Sequence, residues 1–595
     1  MHVTISGQGK ARVIQFVEQH RIPGTNKKKT TVIKTIGNYE KLVAEEPDIM
    51  EQLRAEARRL TERKRAENAP LTLSVSNQLA TTVESFTPSF RFGHSVLLQC
   101  WSKMGLDACL SGQGSKRNLV SVLQAARFLV MHRITDPASV LASWKDVEHY
   151  AGLEPAGLDV CYQALDLLGS VKESVQSCLC SFFQSHTDRQ DLMAYYDVTT
   201  YAFESVRQGE LRLFGYSKDN KHNEVQVVMG LLIDNNGIPI SFELFPGNTM
   251  DQNTLERAVA DLKAKYGMEK IVLVADRVLN GKENLELLLN AGHDYVIGYT
   301  LKRASAEIQG EVLKEDGWQV VKTDEDDEVL LMEKSVDHVL KTRVKLTEEE
   351  RAHLPVKRGH KPMYKTVEYP VRLHLTWSRE RAERDRLERE RQVEKVRKML
   401  SSSGKVKSSL KRGRNQYLAL DIQTEDCQLD EARILRQARF VGYYAVVTNN
   451  RDFSNAHSSS LYSGLWQIEE SFRVLKTDLR ARPVFVWTDE RIRGHFVMCF
   501  IALCMVRYLQ YLLEQKTGER PSAAVLQTSL ISPLVLMQGD WPSVTLTPTN
   551  ISQTYLDLVE TLELPSLRTN MTRTQFKTAT KLDIKVNAEQ DKRTK

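Results

Sequence analysis

Cysteine is scarce in this 595-residue chain, which has eight cysteines and no Cys-x-x-Cys pair or Cys/His set at zinc-ligand spacing. A disulfide framework or a structural zinc site needs paired, regularly spaced ligands, so the sequence argues against both. The cysteines are therefore predicted to be reduced, mostly buried thiols of a cytoplasmic protein.

Long apolar runs are lacking too. The longest covers 496–506 and ends at Arg507, whereas a helix needs about 20 apolar residues to cross a bilayer. The N-terminal residues have no charged segment followed by an apolar one, as a signal peptide would. We expect a buried helix at 496–506 and no membrane partner.

A large excess of one charge is also absent, because 82 Lys and Arg residues stand against 76 Asp and Glu residues, for a net charge of +6. This balance permits a nucleic-acid partner without requiring one, since clustering of basic residues matters more than their sum. The basic segment 401–414 is either a solvated loop or an arm that follows phosphates. No Ser-His-Asp or Cys-His set and no Gly-rich Walker loop stands out, so no protein nucleophile is expected.

The length predicts several domains, and hydrophobic periodicity divides the chain into six regions. Residues 1–45 are predicted to form a small β-module from strands at 12–18 and 30–36. Residues 46–190 are predicted to be mostly helical, and this region either contacts DNA or only packs. Strand and helix patterns occupy 191–300 and return at 439–517, on either side of a mixed insertion at 301–438. The C-terminal region, 518–595, is predicted to end in a disordered basic tail from Arg568.

The alternating regions predict an α/β fold with a sheet of mixed direction. Apolar runs at 225–233 and 238–245 flank Asn236-Gly237, which predicts a two-residue hairpin turn with positive φ at both residues. Further strands are expected at 192–200, 271–275, 295–299 and 441–448. The charged run 378–398 is predicted to be an exposed helix with ion pairs one turn apart.

Two aspartates belong to predicted strands: Asp197 follows Ala194-Tyr-Tyr, and Asp276 follows the run 271–275. A charge beside a core is costly unless it is capped, hydrogen-bonded or bound to a cation. Each aspartate alone is best explained by capping. The two together, with an acidic helix beyond the insertion, indicate a shared site for Mg²⁺, which prefers carboxylate oxygens.

That helix is predicted over 462–480 and has two faces. At about 100° per residue, one stripe holds mostly polar or aromatic side chains, namely Tyr462, Trp466, Glu469, Arg473, Lys476 and Arg480. An apolar stripe beside it, with Leu465, Ile468, Phe472, Leu475 and Leu479, is the face expected to pack on a core. The first stripe is either a solvated face or a surface that holds a metal ion beside a phosphate.

Together these residues resemble the DDE transposases of bacterial insertion sequences. One subgroup has a helix signature of Tyr, two residues, Arg, three residues, Glu, six residues and Lys. Tyr462, Glu469 and Lys476 keep this spacing, Leu465 stands at the Arg position, and Arg473 is a base four residues after the glutamate. With Asp197 and Asp276 ahead of a large insertion, the resemblance covers about 190–515.

The resemblance implies an RNase H-like catalytic core with a large mixed insertion. It implies that Asp197, Asp276 and Glu469 are catalytic and bind two Mg²⁺ or Mn²⁺ ions, and that three further residues bind DNA phosphates: Tyr462, Arg473 and Lys476. The implied partners are terminal inverted repeats and target DNA, held by a homodimer that pairs two DNA ends, in a bacterial cytoplasm in association with the nucleoid.

The aromatic residues have roles that the resemblance suggests. Related enzymes stabilise a flipped base in a DNA hairpin with an aromatic residue of the insertion, for which Trp318 and Trp377 are candidates. Trp466 either packs in the core, which is the preferred interpretation, or stacks on DNA.

The predicted function is cut-and-paste transposition, in which the chain cleaves DNA at insertion-sequence ends and joins the 3′-hydroxyl to target DNA. One alternative is an RNase H-like nuclease or resolvase without strand transfer. Another is a catalytically inactive derivative that only binds DNA, which Leu465 and Val278 keep open because related chains have Arg and often Gly at these positions.

Overall fold

The structure is a computed structural model that describes the chain except for residues 1, 22–27, 68–88, 113–117, 155, 190–192, 216–223, 261, 263–267, 269, 347, 354–362, 401–416, 421–426, 539–543 and 585–595. It divides into two compact units. One comprises Met1–Phe86 and Gln538–Thr545, and the other comprises Thr87–Met537 and Leu546–Lys595.

The first unit contains a three-stranded antiparallel sheet and two helices. Its strands, in spatial order, are β1 (His2–Ser6), β2 (Val13–Arg21) and β3 (Lys28–Asn38), followed by α1 (Tyr39–Glu45) and α2 (Ile49–Glu67). The predicted strands correspond to β2 and β3, whereas the loop between them lies outside the described residues. Ile14 and Phe16 of β2 form a small core with Leu53 and Ala57 of α2, which explains why the apolar residues of both elements recur on one face.

The second unit begins with a short strand and a group of helices. These are β4 (Ser89–Arg91), α3 (Ser95–Lys103), α4 (Leu106–Ser111), α5 (Leu119–Thr135), α6 (Val140–Asp146), α7 (Leu158–Ser170) and α8 (Lys172–His186). Helix α5 agrees with the helical structure predicted for this region, and the second half of the helix is almost completely buried.

A nine-stranded mixed sheet dominates the second unit. Its nine strands are β5 (Met193–Ala202), β6 (Gln226–Ile233), β7 (Pro239–Pro246), β8 (Val272–Ala275), β9 (Asp294–Tyr299), β10 (Gln319–Thr323), β11 (Val329–Lys345), β12 (Tyr364–Ser378) and β15 (Tyr443–Thr448). The helices between them are α9 (Leu255–Val259), α10 (Lys282–Asn290), α11 (Ala306–Leu313), α12 (Glu348–Ala352), α13 (Arg379–Leu400) and α14 (Glu431–Ala438). The small strands β13 (Leu418–Leu420) and β14 (Cys427–Leu429) form a separate pair. The spatial order is β10-β11-β12-β15-β9-β8-β5-β6-β7. Strand β8 is parallel to both β5 and β9, and the other neighbours are antiparallel. The predicted α/β fold with a mixed sheet is confirmed.

Helices after β15 cover one face of this sheet, and α17 is the longest of them. The remaining elements are α15 (Asn455–Ser463), α16 (Trp466–Arg473), α17 (Asp489–Thr517), α18 (Ala523–Ile531), β16 (Leu534–Gln538), β17 (Thr545–Thr549), α19 (Gln553–Thr561), β18 (Met571–Thr572) and α20 (Arg573–Thr580). Among the described residues, α17 alone is long and apolar enough to span a membrane, but 89% of its most apolar window is buried inside the protein. The predicted buried helix at 496–506 is thus confirmed.

The hairpin between β6 and β7 differs from its prediction. Gly237 has φ 74°, but Asn236 is not among the residues with positive φ, so the turn is not the two-residue type. Backbone hydrogen bonds close this loop, from the N–H of Asp234 to the carbonyl of Ile238 at 2.9 Å and from the N–H of Gly237 to the carbonyl of Asp234 at 3.1 Å. The Asp234 carboxylate adds to them, because it accepts hydrogen bonds from the backbone N–H groups of Asn236 and Ile238, both at 2.9 Å.

The predicted disorder from Arg568 is wrong up to Ile584. Helix α20 begins with a capping box between Thr572 and Gln575, and Phe576 is completely buried, with its ring 5.5 Å from that of Phe92. A few well-placed apolar residues suffice to order this segment, although its composition is basic.

Candidate active site

Asp197 and Asp276 lie at neighbouring positions of two parallel strands. Tyr196 of β5 is in register with Ala275 of β8, and the backbone of Asp276 remains extended, at φ −70° and ψ 160°. Their backbones are therefore about 4.8 Å apart, with both side chains on the same side of the sheet. Both carboxylates are half-buried, and the pairing of β5 with β8 makes these two positions neighbours although they are distant in sequence.

Tyr462 approaches this pair from helix α15. Its hydroxyl donates a hydrogen bond of 3.3 Å to Oδ1 of Asp276. Burial, together with the nearby charge of Asp276, raises the pKa of Tyr462 to about 12. The phenol is therefore a hydrogen-bond donor at neutral pH, and it orients the Asp276 carboxylate.

Two glycines allow α15 and α16 to approach the sheet closely. A Cβ atom on Gly298 of β9 would collide with the Tyr462 hydroxyl, and a Cβ atom on Gly464 would collide with the Tyr195 hydroxyl. Tyr195 and Asp197 are two residues apart on β5 and so share a face. The helices thus cover the face of the sheet on which Asp197 lies.

The segment 462–480, predicted to be helical, is helical as far as Asp478, but it is not one uninterrupted helix. Helix α15 ends at Ser463, α16 begins at Trp466, and residues Val474–Asp478 form a π-helical turn. The break and the π-helical turn interrupt the 100° progression on which the two stripes were based, but Phe472, Leu475 and Leu479 of the apolar stripe are nevertheless buried.

Glu469 and Trp466 both lie on the exposed side of α16. Glu469 is exposed, and 56% of the surface of Trp466 is accessible to solvent. The preferred interpretation of Trp466 as a core residue is therefore wrong. Apolar anchoring of α16 comes from Ile468 and Phe472, which are buried as predicted.

Lys476 reaches the strand that carries Asp197. Its ammonium group donates a hydrogen bond of 2.6 Å to Oγ1 of Thr199 and lies 5.5 Å from the ring centre of Tyr201. Since Thr199 is two residues from Asp197 and on the same face of β5, a positive charge is held close to that carboxylate. Arg473, in contrast, points outward, with 62% of its side chain exposed and an ion pair of 3.4 Å to Glu470.

Arg507 was not anticipated from the sequence, and it positions α16. Its guanidinium group is 1% exposed and lies 3.4 Å from the Glu470 carboxylate, with further hydrogen bonds to Ser471 at 2.9 Å and Gln510 at 2.8 Å. Glu470 is thus turned toward α17 while its neighbour Glu469 faces outward. An arginine at the end of the longest apolar run was the available signal, because a buried charge requires a partner.

In the described part of the chain, one group of three acidic or histidine side chains has its ligand atoms within 4.8 Å of one another, and it is His132, Asp136 and Asp146. Arg91 occupies this group, at 2.8 Å from Asp146 and 3.4 Å from Asp136. Burial lowers the pKa of His132, although the nearby Asp146 opposes this effect. We interpret the group as an ion-pair network, since a guanidinium already neutralises both carboxylates.

The carboxylate oxygens of Asp197, Asp276 and Glu469 are not all within 4.8 Å of one another. Carboxylates that bind two different ions about 4 Å apart need not lie within such a distance of one another. Their hard oxygen donors match the ligands that Mg²⁺ and Mn²⁺ prefer.

A cavity of about 290 Å³ is lined by Arg277, the residue after Asp276, and two arginines and two tyrosines are among its lining residues. These are Arg277, Arg303, Tyr299 and Tyr369. The insertion tryptophans suggested by the sequence lie elsewhere: Trp318 packs against Tyr443, with 5.4 Å between ring centres, and Trp377 lies against Gly442.

Comparison with known proteins gives one family match. Residues 197–505 match the family described as "Transposase DDE domain". No curated protein matches the sequence. Among solved structures, the chain is similar to the cryo-EM structure of the piggyBac transposase synaptic complex with hairpin DNA, at 9% identity over 80% of this chain and 81% of that chain. The TM-score of that match is 0.32, which is too low to support an argument.

Proposed function

The chain belongs to the transposase DDE domain family, and we propose that it is the cut-and-paste transposase of a bacterial insertion sequence. It would cleave DNA at the ends of its element and join the freed 3′-hydroxyl to target DNA. The observation that supports this proposal is the parallel register of β5 and β8, in which Tyr196 pairs with Ala275, the residues that directly precede Asp197 and Asp276.

The sheet supports an RNase H-like catalytic core. The antiparallel strands β5, β6 and β7 continue into the parallel neighbours β8 and β9, and residues 191–300 and 439–517 would supply its two parts. Strands β10, β11 and β12 extend the same sheet beyond β15 and would belong to the insertion, 301–438. The regions 1–45, 46–190 and 518–595 would be the β-module, the helical domain and the C-terminal region.

Asp197, Asp276 and Glu469 are the residues that would hold the divalent ions used by this family. Two bound Mg²⁺ or Mn²⁺ ions would activate a water or a 3′-hydroxyl and stabilise the leaving oxygen. Tyr462 fixes the orientation of Asp276 through its hydrogen bond. Glu469 lies on the exposed side of α16, so DNA that approaches this side of the helix would reach it.

The basic residues of the site would bind DNA phosphates. Lys476 is held beside Thr199 and would contact a phosphate next to Asp197. Arg473 lies one helical turn after Glu469 and is largely exposed, so it would contact the backbone farther out. Tyr462 would bind a phosphate only by sharing its hydroxyl with Asp276. We further propose a homodimer that pairs two terminal inverted repeats.

The first test concerns cleavage. Asp276→Ala should abolish Mg²⁺-dependent cleavage of DNA taken from the flanks of the gene, while gel-shift binding to the same DNA stays within about twofold. Glu383→Gln, which changes an exposed acid of α13, serves as the control and should cleave normally. Full cleavage by the Asp276→Ala protein would contradict the assignment.

The second test separates a transposase from a nuclease. Wild-type protein is incubated with a pre-cleaved end that carries a free 3′-hydroxyl and with a supercoiled plasmid. Joined products indicate strand transfer. Cleavage without any joined product would favour the nuclease or resolvase.

A further inference from the structure

Two exposed aromatic residues lie in the segment between the π-helical turn and α17. Val484 and Val486 are 5% and 4% exposed, whereas Phe485 and Trp487 are 56% and 54% exposed. This alternation is that of an extended segment with one face on the core. The buried valines therefore anchor the segment and hold both aromatic side chains outward.

A buried arginine lies behind Trp487. The guanidinium group of Arg212 is 5.7 Å from the ring centre of Trp487 and 5.9 Å from that of Phe203. Arg212 is only 5% exposed, and its Nε and Nη1 atoms have no hydrogen-bond partner among the described residues. A positive charge thus lies beneath an exposed indole, where a negatively charged ligand would be favoured.

The segment that carries Arg212 is bonded to the first residues of α17, which directly follow the segment that carries Phe485 and Trp487. The Asp489 carboxylate accepts hydrogen bonds from the backbone N–H groups of Glu210 at 3.3 Å and Leu211 at 3.1 Å. Arg493 forms an ion pair of 3.3 Å with Glu210. The carboxylates of Asp489 and Glu210 are therefore bonded to other groups.

Contacts along one face of β5 connect Arg212, and through it Trp487, with the strand position of Asp197. Along β5 and one residue past its end, this face carries Asp197, Thr199, Tyr201 and Phe203 in turn. Lys476 contacts both Thr199 and Tyr201, and Arg212 contacts Phe203. From Asp197 to Phe203 the strand spans six residues, or about 20 Å. This is the length of about six nucleotides of duplex DNA.

We propose that Phe485 and Trp487, backed by Arg212, form a platform on which bases of the transposon-end DNA stack, about six nucleotides from the cleaved phosphate. This inference rests on the proposed function, because it places the cleaved phosphate at Asp197. Charge favours DNA over a protein partner, since the positive charges of Lys476 and Arg212 both lie along this strand, at Thr199 and Phe203.

The test uses duplex DNA from the flanks of the gene, with 2-aminopurine placed at successive positions around the cleavage site. Wild-type protein should change the fluorescence most at about six nucleotides from the cleaved bond. The double variant Phe485→Ala/Trp487→Ala should lose this signal and bind about tenfold more weakly, while Trp487→Phe retains most of it. Since both side chains are exposed, thermal unfolding should be unchanged.

Tyr364→Ala removes a similarly exposed aromatic, 53% accessible, from β12 and is the matched control. If the double variant binds and cleaves like this control, the platform is wrong. A change in oligomeric state with unaltered DNA affinity would instead make this surface a protein interface and also overturn the proposal. Wild-type protein that neither binds nor cleaves the flanking DNA would refute the proposed function itself.

Discussion

The hydroxyl of Tyr462 donates a hydrogen bond of 3.3 Å to Oδ1 of Asp276, although 186 residues separate them in the chain. The bond joins helix α15 to the end of strand β8, across an insertion that occupies most of the intervening sequence. Since burial raises the pKa of Tyr462 to about 12, the phenol keeps its proton throughout the physiological range. One of the two adjacent aspartates is thereby oriented before any ligand binds.

Tyr462→Phe removes this hydrogen bond without changing the size of the ring. Hydrogen bonds that orient a metal-binding carboxylate affect ion affinity by about 10- to 100-fold when lost. We therefore expect a higher half-saturating Mg²⁺ concentration for cleavage and a rate about tenfold lower at limiting Mg²⁺. Tyr364→Phe, at an exposed position, is the control. A Mg²⁺ dependence identical in both variants would show that Tyr462 does not act through Asp276.

Gly298→Ala tests the same contact from the opposite side. A methyl group at position 298 would collide with the Tyr462 hydroxyl, so Tyr462 must move away from Asp276. The single substitution should lower cleavage at least as much as Tyr462→Phe does. In the double variant Gly298→Ala/Tyr462→Phe the two losses should not add, because both act on one contact. Additive losses in single-turnover cleavage would place the effect of Gly298 elsewhere.

The sequence predicted the strands of this site better than its helices. Apolar runs located β5, β8, β9 and β15 to within a few residues, because buried strands give short, continuous apolar patterns. The pairing of Tyr196 with Ala275 could not be deduced, since register depends on contacts distant in sequence. A shared site for Asp197 and Asp276 was therefore predicted from their strand positions and from the resemblance, whereas the register that makes their strands neighbours is known only from the structure.

The helical part of the site shows the limit of periodicity. A uniform 100° progression predicted an apolar stripe whose members Ile468, Phe472 and Leu475 are indeed buried, but it did not predict the break at Gly464 or the π-helical turn at Val474–Asp478. Gly464 is there because Tyr195 approaches it closely, which is a tertiary contact. Glu469 is exposed, as expected for a residue outside the apolar stripe.

The adjacent residues Glu469 and Glu470 should separate function from stability. Glu470 partners the buried Arg507, so Glu470→Gln should lower the free energy of unfolding by about 2–3 kcal/mol. Glu469 is exposed, so Glu469→Gln should leave unfolding unchanged but abolish cleavage. Urea unfolding and Mg²⁺-dependent cleavage, measured on both variants, check this. If Glu469→Gln cleaved normally, the third carboxylate of the site would have to be sought elsewhere.

His495 should make the fold sensitive to acid. It is fully buried on α17, where its Nε2 donates a hydrogen bond of 3.0 Å to the carbonyl of Ala481, and burial, together with the charge of Arg133, lowers its pKa to about 3. In the unfolded chain a histidine titrates near pH 6.5, so below this pH the unfolded state binds more protons. The stability contributed by neutral His495 is thus present above about pH 6.5 and is lost as the pH falls toward 3.

At pH 4.5, two units below the unfolded value, this loss amounts to about 2–3 kcal/mol for His495 alone. His495→Asn keeps a donor for Ala481 but does not titrate, so its free energy of unfolding should fall less between pH 7 and pH 4.5 than that of the wild type. Part of the slope should persist, because burial also lowers the pKa values of His94 and His374 to about 4. His457→Asn, at an exposed position, should retain the full wild-type slope. Equal slopes for His495→Asn and wild type in urea unfolding would mean that His495 is protonated in the folded protein, contrary to its burial.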